Sequence, residues 1–77
     1  MGRNEVKNKI FRATYHRGIR ERDVCEFLAA KDLEVARVGA SERATETGWL
    51  LISVKEEPID MEDPEDVQKV LIARLVV

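Results

Sequence analysis

The sequence predicts an α+β sandwich, two helices on one face of an antiparallel sheet in the order β-α-β-β-α. Three stretches carry that expectation. Lys9–His16 alternates, with Phe11, Ala13 and Tyr15 on one side and Arg12, Thr14 and His16 on the other, the mark of a half-buried strand. Trp49–Lys55 is an apolar run with branched residues, opened by Gly48 and closed by Lys55-Glu56-Glu57-Pro58, as suits a strand. Asp63-Pro64-Glu65-Asp66 combines an N-cap residue, proline at the first helical position and acid in the first turn, and so starts a helix.

The remaining elements follow in order. Residues 1–8 are polar and read as a flexible arm, leaving residues 9–77 as a single small domain. Ile10 interrupts the alternation of the first strand, and Arg17-Gly18 makes its turn. Ile19–Asp32 reads as the first helix, because Val24, Phe27 and Leu28 fall on one stripe, widened by Cys25. Leu33–Val38 reads as a second strand, broken by Gly39-Ala40-Ser41, with a loop over Ser41–Thr47. After the third strand comes an acidic connection, then a second helix with Val67, Val70, Leu71 and Leu75 on its buried stripe.

Such a chain closes as a split βαβ, or ferredoxin-like, sandwich with its first and third strands adjacent in the middle. Only Leu75–Val77 remain for a fourth strand, which is expected to be short, missing, or supplied by another chain. An edge left unpaired is a hazard or an assembly surface.

Gly48-Trp49-Leu50-Leu51-Ile52-Ser53-Val54 is similar to the third-strand motif of the RNA recognition motif (RRM) family, and Ile10-Phe11-Arg12-Ala13-Thr14-Tyr15 resembles its first-strand motif. Residues 21–28 resemble its first helix and residues 63–71 its second, so the likeness covers about residues 9–71. It implies an open sheet face that stacks bases. Thr47 stands where the family carries Lys or Arg, and Leu51 replaces the second stacking aromatic. The motif would also bury Arg12, which is costly without a partner, so the alternation is followed instead: Phe11 in, Arg12 out.

Apolar residues make up 44% of the chain and charged residues 36%, a globular profile. No apolar run is long enough to span a bilayer, and Val6 stands where a myristoylation signal wants Ser or Thr. One cysteine, Cys25, excludes an internal disulfide and a cysteine metal site, which makes an intracellular setting the expectation. Net charge is −2, but residues 1–22 hold seven Lys/Arg against two Glu, and residues 44–77 hold three against eight Asp/Glu. That asymmetry fits a basic face for an anionic partner, contact between copies, or plain solvated charge.

The candidate nucleic-acid-binding residues are therefore Lys9, Arg12, His16, Arg17, Arg43, Trp49 and Leu51, with Arg20 near the loops. Trp49 suits base stacking, a protein hot spot or simple packing. Catalysis is not expected. His16 is the only histidine, Cys25 reads as a structural thiol, and Ser53 stands where an acid-x-Lys nuclease strand ending at Lys55 needs its metal-binding carboxylate. No cofactor and no small-molecule substrate are expected. The expected function is a noncatalytic RNA-binding module of a larger intracellular protein, binding single-stranded RNA or another nucleic acid. The alternative is a protein-interaction or self-association (homo-oligomer) module of the same fold.

Overall fold

A computed structural model describes residues 8–77, so the expected N-terminal arm lies outside the described residues except for Asn8. The fold is α+β: a four-stranded mixed sheet with two helices. Its elements run β1 (Lys9–His16), β2 (Val24–Ala30), α1 (Leu33–Thr47), β3 (Leu50–Glu56), α2 (Pro64–Ile72) and β4 (Arg74–Leu75). The sheet order is β3-β1-β2-β4. β1 pairs antiparallel with both β2 and β3, and β4 runs parallel to β2.

β1 alternates as expected, with Phe11, Ala13 and Tyr15 buried and Arg12 exposed. β3 follows the expected third strand within one residue at each end, and a bulge at Ile52 lets Ser53 face Thr14 while Leu51 faces Tyr15. α2 starts where the cap signal places it, Asp63 accepting a bond from the Glu65 N–H at 3.0 Å. Its stripe is narrower than expected. Val67 and Val70 are half-buried, Leu71 is exposed, and Leu75 lies beyond the helix in β4.

The middle of the chain differs from the sequence reading. Val24–Ala30 is a strand, not part of a first helix, and Leu33–Thr47 is one helix, not a strand and a loop. Asp32, expected at a helix end, begins α1 by accepting a bond from the Val35 N–H at 2.9 Å. Gly48 ends it at φ 78°, a left-handed conformation suited to glycine, with its N–H donating to the Ala44 carbonyl at 2.9 Å. The buried positions of α1 are Ala36, Gly39 and Ala40. A stripe of such small residues carries little hydrophobic signal, but it lets the helix lie close on the sheet.

The helices do not share a face. β2 and β3 run the same way, so β2-α1-β3 and β3-α2-β4 are both crossovers, made in opposite directions along the sheet. The right-handed rule then puts α1 and α2 on opposite sides. Side chains agree. The core joins Phe11, Ala13, Tyr15, Leu28 and Ala30 of the sheet to Ala36 and Ala40 of α1. Phe27, which points the other way from Leu28, meets α2, the Lys69 ammonium lying 5.8 Å from its ring centre. The expected bare face is thus partly covered by α2. The fourth strand is short, as expected, and lies parallel beside β2.

Candidate nucleic-acid interface

Alternation along β1 sends Arg12, Thr14 and His16 to the face away from α1. Pairing adds neighbours from β3 and β2. Lys55 and Phe27 flank Arg12, and Ser53 and Cys25 flank Thr14. Two cations, Arg12 and Lys55, therefore stand directly opposite one another on adjacent strands, an arrangement that costs stability unless an anion intervenes. Glu57 supplies part of that charge, 3.5 Å from Arg12 Nε, but it also takes a 2.9 Å bond from Lys69. Arg12 remains 48% exposed.

His16 Nδ1 lies 2.9 Å from an Asp23 carboxylate oxygen, which ties β1 to the far side of the hairpin loop. Within that loop Arg17 donates to the Arg22 carbonyl at 3.1 Å and lies 3.5 Å from Glu21. Arg20 and Arg22 are exposed. The Thr14 hydroxyl and the Cys25 thiol are 3.6 Å apart. This half of the face carries hydroxyl, thiol and basic groups, whereas Lys9, exposed at the opposite end of β1 and paired with Ala30, falls by the same alternation on the Phe11 side.

The other expected site residues lie elsewhere. Trp49 precedes β3 and, with Leu51, packs against the α1-side core. Its ring centroid is 5.7 Å from that of Tyr15 at a 55° tilt. Of the three roles expected for Trp49, this contact fits packing, and it takes the indole off the open face that the RRM resemblance implies for base stacking. Arg43, on α1, lies on that same side and donates to Glu26 at 3.2 Å. The expected residues therefore form two groups on opposite faces: Arg12 and His16, with Arg17 beside them, and Arg43, Trp49 and Leu51.

Glu26 is the centre of a constellation that sequence reasoning missed. Its carboxylate accepts from the Tyr15 hydroxyl at 2.8 Å, from Arg74 Nε at 2.8 Å and Nη2 at 3.1 Å, and from Arg43. Burial pushes the Glu26 carboxyl up, but hydrogen bonds from Arg74 and Tyr15 and the charges of both arginines outweigh it and hold the group below its ordinary value. Burial, then the bond to Glu26, raises the Tyr15 hydroxyl. A lone acid inside the apolar run Val24–Ala30 was the available signal, since such a group needs a partner.

Comparison with protein-family models, curated proteins and solved structures found no match for this chain. No helix among the described residues is long and apolar enough to cross a membrane.

Proposed function

We propose that the chain is a noncatalytic nucleic-acid-binding module of a larger intracellular protein, and that it holds a phosphate backbone along β1 and β3. The observation that carries the reading is the directly opposed pair Arg12 and Lys55 on the face away from α1, with His16 four positions along β1 from Arg12. Arg17, Arg20 and Arg22 of the adjoining loop extend the basic track. The RRM resemblance lends this reading only limited support, because Trp49 packs on Tyr15 and residues 21–28 lie in a loop and strand. The ferredoxin-like expectation keeps its α+β composition and the adjacency of β1 and β3, but β3 is an edge strand and the helices lie on opposite faces.

Contacts of this kind are phosphate contacts, which position a nucleic acid without reading its sequence. Anisotropy titration with a short single-stranded RNA tests the reading. Affinity is expected to fall steeply between low and moderate salt. Arg12→Gln combined with Lys55→Gln should weaken binding alike for every sequence. It should also reduce the salt slope by about 1.4, because each phosphate left without its cation lowers the slope by about 0.7. Absence of salt-dependent binding at low ionic strength would overturn it.

A second reading, self-association, is favoured by β3. It is an edge strand whose Leu50 and Ile52 are 65% and 50% exposed. Sedimentation velocity of the chain and of Ile52→Lys separates the two. A concentration-dependent dimer abolished by the substitution supports pairing, and a strict monomer removes it.

A further inference from the structure

β4 pairs only with Leu28 and Ala29, so the earlier part of β2, from Val24 to Phe27, has no strand on its outer side among the described residues. In an antiparallel strand a residue turns both backbone polar groups to the same side, and the side alternates along the chain. The Ala29 carbonyl accepts from the Val76 N–H at 2.8 Å on the outer edge, so Cys25, four residues earlier, turns its N–H and carbonyl to that same edge. A groove of about 370 Å³ spans it, with Tyr15, Arg43 and Trp49 on the α1 side and Phe27 and Ile72 on the α2 side.

We propose that this groove takes an extended peptide of a partner protein as a short added strand beside Val24–Phe27, with an apolar side chain against Trp49 and a carboxylate at Arg43. Unpaired strand backbone selects an extended chain whose own backbone repeats N–H and carbonyl groups at strand spacing, where a nucleic acid has sugar and phosphate. The apolar walls take alternate side chains. The charge also fits: two guanidinium groups, Arg43 and Arg74, meet the single carboxylate of Glu26, and Arg74 already supplies two of its bonds while Arg43 supplies one. One positive charge is left over, and Arg43 is the arginine that lines the groove.

The probe is a six-residue peptide of alternating valine and threonine with a free C-terminal carboxylate, compared with its C-terminal amide, titrated into the full chain. Amide resonances of Cys25 and Phe27 and the Trp49 indole N–H should shift, and alkylation of Cys25 by iodoacetamide should slow. The acid should bind about fivefold more tightly than the amide, the size of an exposed ion pair. Arg43→Gln should erase that difference, and Arg43→Lys, which keeps the charge beside Glu26, should retain most of it. The proposal is overturned if neither peptide moves these resonances at millimolar concentration, if shifts are confined to β3, or if single-stranded RNA occupies the groove and the peptides do not.

Discussion

Glu26 shows how a single polar residue can set the order of four elements. Its carboxylate joins β1 through Tyr15, α1 through Arg43 and β4 through Arg74. The side chain is 20% exposed, so removing its charge leaves two half-buried guanidinium groups without their counter-charge and with one acceptor oxygen fewer. Glu26→Gln is expected to lower stability at neutral pH by about 1–3 kcal/mol. The pH dependence has a definite sign. The folded-state pKa is depressed, so this stabilisation is present above the unfolded value of 4.5 and fades as pH falls through the lower folded value. Urea denaturation of both chains at neutral pH and in acid should therefore give a gap that narrows below about pH 4.5. A gap independent of pH would mean that the carboxylate's charge is not what the arginines recognise.

At the scale of elements, α1 depends on its two ends and on one close approach. Asp32→Ala removes the N-cap bond and should cost about 1 kcal/mol, read as a lower denaturation midpoint. Gly39 faces Val76, whose Cγ1 would lie 2.6 Å from an added Cβ. Gly39→Ala improves helix propensity by up to about 1 kcal/mol, yet overcrowding at a packed contact costs about 1–3 kcal/mol. The net expectation is a loss, and Val76→Ala in the Gly39→Ala chain should recover part of it. If Gly39→Ala alone stabilises the chain, the contact with Val76 is not tight.

The same contacts explain what the sequence could reveal. β1 was legible because only one of its faces is apolar, and α2 because its cap residues are local signals. β2 was not, because Leu28 packs under α1 and Phe27 under α2, which hides the alternation and leaves a spacing that mimics a helical stripe. α1 was hidden because Ala36, Gly39 and Ala40 form its buried face. At the candidate interface, the outward turn of Arg12 and His16 followed from β1 alone. Lys55 joins them only through the β1–β3 register, and Trp49 was misplaced because the side it packs on depends on where α1 lies.

For the molecule as a whole, the segment Arg74–Val77 acts as a clasp. Arg74 supplies two of the bonds to Glu26, the Val76 N–H satisfies the Ala29 carbonyl, and the Val76 side chain is buried against the α1-side core. That core is small. Among its fully buried side chains only Tyr15, Phe11 and Leu28 are large, so little packing elsewhere can compensate when one part is removed. Deleting residues 74–77 should therefore lower stability by about 2–5 kcal/mol, the combined scale of the lost Arg74 hydrogen bonds and a truncated core residue, with Arg43 still pairing Glu26. Deleting Val77 alone, which is fully exposed, should change little. Equilibrium urea unfolding followed by Trp49 fluorescence measures both, since the indole rests on Tyr15 and Tyr15 on Glu26. An unchanged midpoint for the longer deletion would show that the two crossovers hold the sheet together without the clasp.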